Sequence, residues 1–379
     1  MVGTGRSHAP LVYANELLGR TVVGASQDKW QVIERLPRAQ PGKTGGMASA
    51  GYIVQGIDGT RAYLKALDLA SAWLSADPTR ELQTLTTVFN FERDLLHHCR
   101  DQRLDRVVLA LDHGQIAVDP MLYASIVPFL IFELGDGDIR SVLSFSEAFD
   151  TAWAVRALHH TATGLMQLHK NGIAHQDLKP SNVLLFDGGL DAKIGDLGRA
   201  SRHGHNPPHD GLTIAGDLSY APPELLYDAV DPDWRARRLG GDLYLLGSLA
   251  VSLFTGASMT GLIFSKLRPE HHWLVWKGSY ASVLPFVRNA FDQVLLECAT
   301  QFPAAVHDDL DRTVKQLCDP DPAIRGHPQE RARRHGNPQS LERYVAALDL
   351  LARRSERGLK NAARRPQPTG ARLPPQPSV

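Results

Sequence analysis

The sequence predicts an α+β chain of two lobes, a small β-rich one followed by a larger, mainly helical one. Three observations carry this. Before about residue 134, several apolar runs are of strand length, with one long helical stretch among them. After Gly135 the apolar spacing becomes mainly that of helices. A chain of 379 residues, 43% of them apolar, is long enough to bury a core in each lobe.

Taken in order, residues 1–29 read as an N-terminal extension with one short helix around 15–21. Residues 30–36, 51–55 and 61–67 read as strands, the first followed by a loop rich in Gly, Pro and Lys. A helix is expected over 79–99, where Leu82, Leu85, Phe89, Leu95 and Leu96 form one apolar stripe. Strand-length runs at 107–111 and 127–133 complete a small lobe spanning 30–134, and 135–350 form the helical lobe. Residues 246–264 carry no charge over a length that could just span a bilayer. Their three Gly, three Ser and two Thr favour a buried core helix instead. The segment 265–310 reads as extra packing helices, with a docking surface as the alternative. Residues 351–379 are basic and then Pro-rich, with almost no large apolar side chains, and read as a disordered tail with the potential to dock a partner.

Composition narrows the function classes. Lys+Arg and Asp+Glu both total 41, a zero formal charge that argues against a dedicated nucleic-acid binder. The three scattered cysteines, Cys99, Cys298 and Cys318, lack CxxC spacing and suit a reducing, cytoplasmic setting. The start lacks the apolar core of a signal peptide, and no membrane association is expected. The histidine pairs 97–98, 159–160 and 271–272 are adjacent, so on a helix their side chains diverge rather than converge on zinc.

The strongest chemical signal is His175-Gln-Asp-Leu-Lys-Pro-Ser-Asn182. A hydroxyl nucleophile needs a carboxylate to orient it and accept its proton, and Asp177 fits. Phosphoryl transfer gathers negative charge, which Lys179 can offset, and a metal on phosphates wants hard oxygen ligands, which Asn182 can supply. Fourteen residues on, Lys193-Ile-Gly-Asp196-Leu-Gly198 offers a second metal-binding carboxylate. These segments resemble the eukaryotic-type protein kinase family, with its H-x-D-L-K-P-x-N loop and D-F-G triplet. Further elements follow in family order: Ala221-Pro-Pro-Glu224, Asp242-Leu-Tyr-Leu-Leu-Gly247 and Asp321-Pro-Ala-Ile-Arg325. The resemblance spans about residues 30–350.

The resemblance implies a small antiparallel sheet lobe with one key helix, and ATP and Mg²⁺ (or Mn²⁺) as cofactors. Lys65, in Arg61-Ala-Tyr-Leu-Lys65-Ala-Leu, would reach the α and β phosphates with Glu92 as its partner, and Glu81 as the competitor. Gly46, Gly51 and Ile53 would form a glycine loop, in which Ala48 replaces the middle glycine. Glu133 and Leu184 would line the nucleotide pocket, and Asn182 and Asp196 would hold the metal. Arg325 would pair with Glu224 in the core. A Walker A reading of Gly42-Lys-Thr44 fails because Pro37 stands where its first glycine belongs.

Three departures mark the neighbourhood of the centre. Tyr63 stands where the family usually carries Ala. Gln176 replaces the Arg that gathers an activation-loop phosphate, so competence without that phosphate is expected. Asp217 replaces a Thr and could pair with Lys179. The leading reading is a Ser/Thr-type protein kinase acting on a protein substrate, Lys179 being the usual Ser/Thr mark. A pseudokinase scaffold and a small-molecule kinase of the aminoglycoside or choline type are the alternatives. The second of these lacks the segment seen at Ala221 to Glu224.

Overall fold

Alternating apolar side chains in the first third of the chain build a six-stranded antiparallel sheet. In the computed structural model, which describes residues 13–37, 49–122, 125–145 and 150–364, its strands are β1 (Thr21–Val23), β2 (Lys29–Arg35), β3 (Ser49–Gly56), β4 (Arg61–Leu67), β5 (Ala110–Ala117) and β6 (Ile126–Glu133). Their order is β1-β2-β3-β4-β6-β5. β4 shows why the sheet has two uses: Ala62, Leu64 and Ala66 are fully buried, while Tyr63 and Lys65 alternate onto the other face.

Two expectations for this lobe change. The stretch read as an extension belongs to the sheet core. Ala14, Leu17 and Val22 are buried with Tyr52, Val54, Phe129 and Ile131, and the Tyr52 hydroxyl donates to the Ala14 carbonyl at 2.8 Å. The short helix lies at Tyr13–Asn15, and Thr21 opens a strand. Covering one face of the sheet with apolar surface is what orders this segment. The fifth strand starts later than the apolar run at 107–111. Val107 and Val108 are buried but pair with Ile194 of the large lobe, the Val108 N–H donating to its carbonyl at 2.8 Å.

After a single turn, α1 (Ala70–Trp73), the long helix α2 runs Pro78–Asp101. Asp77 caps it by accepting the Arg80 N–H, and Pro78 supplies a preset φ at its first position. Burial along α2 concentrates at Glu92, Leu95, Leu96 and Cys99. The large lobe then contains α3 (Ile139–Phe145), α4 (Thr151–Lys170), α5 (Pro223–Leu226), α6 (Gly240–Thr255), α7 (Met259–Lys266), α8 (Tyr280–Gln301), α9 (His307–Leu317), α10 (Pro328–Ala332) and α11 (Glu342–Arg364). Short strands β7 (Gly137–Asp138), β8 (Ile173–Ala174), β9 (Val183–Phe186), β10 (Asp191–Ile194) and β11 (Ser201–Arg202) pair as β10-β9-β7 and β11-β8 beside the interlobe face.

The uncharged stretch 246–264 is divided between α6 and α7, which are bent by 81°. Every residue of α6 from 240 to 253 is buried. Among the described residues no single helix is long and apolar enough to cross a membrane. In the segment 265–310, α8 buries Val283, Val287, Phe291 and Val294 against the core, as a packing helix would, while Phe286 and Leu296 on the same helix are exposed. The tail boundary at 351 is too early. α11 continues to Arg364, burying Leu348, Leu351 and Ala352. Arg156 of α4 donates to Asp349 at 3.0 Å and to Glu356 at 2.7 Å. An apolar stripe at 341, 344, 348, 351 and 352 carries the helix through an Arg-rich composition that conceals it. Residues 365–379 lie outside the described part.

Glu224, in α5, and Arg325 form the expected pair as a two-pronged contact, both hydrogen bonds measuring 2.7 Å. Both residues are almost fully buried. Arg325→Ala is therefore expected to destabilise the fold by about 3–5 kcal/mol, because it strands a buried carboxylate. Urea denaturation at neutral pH measures this, and a change below experimental error would refute the structural role.

His160 provides a second test. It is buried on α4, and its Nδ1 accepts the Ala192 N–H at 3.3 Å, a bond only the unprotonated nitrogen can make. Burial, aided by the Arg106 charge, pushes its pKa down to about 4. The folded value thus lies below the unfolded value of about 6.5, so the contribution is fully present above about pH 6.5. It is lost as pH falls toward 4, with up to about 3 kcal/mol at stake. Denaturation curves at pH 7 and pH 5 should show that loss, and His160→Gln should flatten this part of the pH dependence.

Candidate active site

The site is built around one carboxylate at the start of α6. Asp242 has no exposed surface. It accepts the backbone N–H of His175 at 2.7 Å, the backbone N–H of Gln176 at 2.8 Å and the His169 side chain at 2.9 Å. A buried carboxylate must be satisfied by donors, so the chain at 175–176 is bent to bring two N–H groups to it. Gln176 adopts a left-handed conformation there, with φ 66°. His175 then links two loops. Its Nδ1 accepts the Asp177 N–H at 3.2 Å, which leaves Nε2 as the donor to the Gly195 carbonyl at 3.0 Å.

The loop that follows is dense in polar contacts. Asn182 donates its amide to the Asp177 carbonyl at 2.7 Å and to the Asp177 carboxylate at 3.1 Å. Lys179 reaches the same carboxylate at 3.0 Å and Asp217 at 3.4 Å. The Asp217 N–H also donates to Asp177, at 2.9 Å. The expected Lys179–Asp217 pairing is therefore present. Burial would raise the Asp217 pKa, but hydrogen bonds from Ser219 and the Lys179 charge outweigh it and hold the carboxyl below its usual range. Gly216 permits this approach. A Cβ there would sit 2.3 Å from the Gln176 carbonyl oxygen and 2.8 Å from an Asp177 carboxylate oxygen.

A second group faces the first across the lobes. Lys65 donates to both Glu92 oxygens, at 2.8 and 3.0 Å, and lies 3.3 Å from Asp196. Glu92, the partner that the family resemblance implies, lies one helical turn before Leu96 and two before Cys99 on α2, and Glu81 does not take its place. Burial alone would lower the Lys65 pKa, but Asp196 and Glu92 more than reverse this and keep the ammonium charged. The Lys65 charge in turn holds Asp196 below the ordinary carboxylate range. Asp196, like Gln176, is left-handed, with φ 55°.

Between the two groups lies a cavity of about 390 Å³ whose wall includes Lys65, Glu92, Glu133, Asn182, Leu184 and Asp196. The structure thus assembles most of the residues singled out from the sequence. Asp177 and Lys179 stand beside it through Asn182. Glu133 contributes wall rather than free charge, since Lys193 holds its carboxylate at 2.7 Å and the Leu109 N–H donates to it. Gly51 and Ile53 lie in β3 but do not line the cavity, and Tyr63 does so in their place. Gly46 and Ala48 lie outside the described residues. Among the described residues no three His, Cys, Asp or Glu side chains converge as a ready-made metal cluster.

The segment after Asp196 is anchored by a contact that no sequence motif marks. Asp210 accepts from Arg238 at 3.2 Å and from Ser201 at 3.0 Å. Arg238 also donates to the Asp210 and Leu212 carbonyls, at 2.7 and 3.3 Å. It is 3% exposed. Gln176 meanwhile donates to the Arg199 carbonyl at 3.1 Å. A carboxylate and an arginine hold this segment against the large lobe. No local sequence spacing connects Asp210 to Arg238, so only the fold reveals them.

A small antiparallel sheet lobe, a helical lobe and two charged groups facing across a cavity define a two-lobed kinase architecture. In agreement, the protein kinase domain family matches residues 110–330, more than half of the sequence. The chain belongs to the protein kinase family. It is 30% identical over 224 residues to the serine/threonine-protein kinase PknL of Mycobacterium tuberculosis, covering 54% of this chain and 52% of that protein. It is 29% identical over 129 residues to the Aurora/IPL1-related protein kinase 2 of Caenorhabditis elegans, 34% of this chain and 39% of the relative. With the Aurora kinase of Schizosaccharomyces pombe the identity is 31% over 131 residues, 34% of each chain. The chain spans about a third to a half of the length of these relatives.

Replacing Arg238 by Met tests the anchoring of the segment. Losing charge-assisted hydrogen bonds here should raise amide hydrogen exchange over 209–214 by about tenfold or more. Unchanged exchange would show that other contacts hold it.

Proposed function

We propose that the chain is a serine/threonine-type protein kinase, transferring the γ-phosphate of ATP to a protein hydroxyl with Mg²⁺. The observation that carries this is the convergence of Lys65, Glu92 and Asp196 with Asn182 and Asp177 around one interlobe cavity. Lys65, kept charged and aimed by Glu92, would hold the donor phosphates. Asn182 spends its amide N–H groups on Asp177, so its carbonyl oxygen is the atom left to offer a metal, beside the Asp196 carboxylate. Two oxygen ligands from the protein suit an ion that takes its remaining ligands from phosphate and water. When bound, Mg²⁺ would neutralise charge on the phosphate oxygens.

Asp177 would orient the acceptor hydroxyl and accept its proton. The Asp217 N–H, Asn182 and Lys179 fix its carboxylate, so little reorganisation is needed at the moment of transfer. Lys179, two residues from Asp177, supports the Ser/Thr type and would offset charge at the transferring group. Three buried free cysteines support a cytoplasmic setting.

The test is transfer from labelled ATP with Mg²⁺ to a generic protein acceptor, for the wild type, Asp177→Asn and Asp196→Ala. Asp177→Asn should lower the rate by about 10²–10⁴-fold while nucleotide binding persists. Wild-type transfer no greater than that of the variants would favour a scaffold, and transfer only to small molecules would favour a small-molecule kinase.

A further inference from the structure

We infer that Tyr63 contacts the bound nucleotide, its hydroxyl donating a hydrogen bond to the phosphates close to Lys65. This rests on the nucleotide-binding part of the proposed function and adds a residue to it. Four observations lead there. Tyr63 and Lys65 are two apart on β4 and so share a face of the strand, and both line the cavity. The Tyr63 side chain does not stay at its own level in the sheet. Tyr63 pairs with Ile53, whereas Gly51 pairs with Lys65. Yet the nearest atom to a Cβ built at Gly51 is the Tyr63 hydroxyl oxygen, at 2.9 Å. The ring therefore leans two residues along the strands, carrying its hydroxyl to the level of the Lys65 backbone.

Third, that hydroxyl makes no hydrogen bond to another described residue, although the ring is half-buried and packed against Phe132 with centroids 6.2 Å apart. The hydroxyl is not sealed from solvent, and Tyr63 lines the cavity, so a ligand bound there can supply the acceptor for its O–H. Fourth, the charges of Lys65, Asp196 and Glu92 all act on it, which puts it within the field of the group that would hold phosphate. Burial pushes its pKa up, so it stays protonated and remains a donor. Phosphate oxygens are the strongest acceptors this cavity would receive. The lean also gives a local reason for glycine at 51: any side chain there would displace the hydroxyl.

Tyr63→Phe keeps the ring and removes only the O–H. Calorimetric titration of the full chain with ADP and with adenosine separates the possible roles. Losing one hydrogen bond to a charged group should weaken ADP binding about tenfold, with adenosine binding and the melting temperature unchanged. Unchanged ADP binding overturns the inference. So does an equal loss for ADP and adenosine, which would mark a packing role, and so does tighter ADP binding, which would mark the hydroxyl as an obstruction. Lys65→Met identifies which reading has failed. ADP binding lost in Lys65→Met but intact in Tyr63→Phe overturns this inference alone. A wild type that binds no ADP overturns it together with the nucleotide-binding reading.

Discussion

The geometry of the site depends on satisfying one buried carboxylate. Asp242 lies at the head of a helix without exposed surface, where an unpaired charge would cost several kcal/mol. Its donors are two consecutive main-chain N–H groups and one imidazole, so satisfying it dictates the path of the backbone at residues 175 and 176. Everything downstream inherits that path. Asp177 emerges with its own N–H tied to His175, and His175 reaches across to the carbonyl just before Asp196. Two loops distant in sequence thus share a common reference, and both include a non-glycine residue in left-handed backbone, a strained state that surrounding contacts must hold.

The small lobe contributes by charge pairing and by a short splice of backbone. Lys65 and Glu92 sit on different elements, and their contact fixes α2 against β4, with Asp196 of the large lobe brought to the same ammonium. Val107 and Val108, read from the sequence as sheet strand, instead bond to Ile194 on the strand that leads into Asp196. The interlobe cavity is therefore bounded on one side by an ion pair and on another by main-chain pairing. Both boundaries meet beside Asp196, which ties the two lobes together at that wall of the cavity.

Much of this is legible in the sequence. The segments at 175–182 and 193–198 are local, and their chemistry requires particular residue types at fixed spacing, whereas those at 221–224, 242–247 and 321–325 are legible through the family resemblance. β4 was delimited correctly because its apolar alternation is undisturbed. Glu92 is readable as the partner of Lys65 only through the family resemblance, which places apolar residues such as Leu96 and Cys99 after that Glu. What escaped was set by tertiary packing. Leu17 and Val22 carry no local sign that they cap a sheet, and the apolar stripe of α11 is diluted by arginines. The Asp210–Arg238 contact joins residues whose pairing depends wholly on how the segment folds back. Tyr63 is unusual for its position in the sequence, but the lean of its ring is a property of three dimensions.

The approach of Gly216 to Asp177 bears on how sequence variants of this chain should be interpreted. Substitutions at Asp177, Lys179 or Asn182 announce themselves through a lost charge or donor. Gly216→Ala removes no charge and no hydrogen-bonding group, and on a surface loop it would look benign. Here the added methyl meets a main-chain carbonyl at 2.3 Å and the carboxylate itself at 2.8 Å. It would force apart the two segments that aim that carboxylate. A single carbon can therefore disturb the geometry of the centre with its polar inventory still complete.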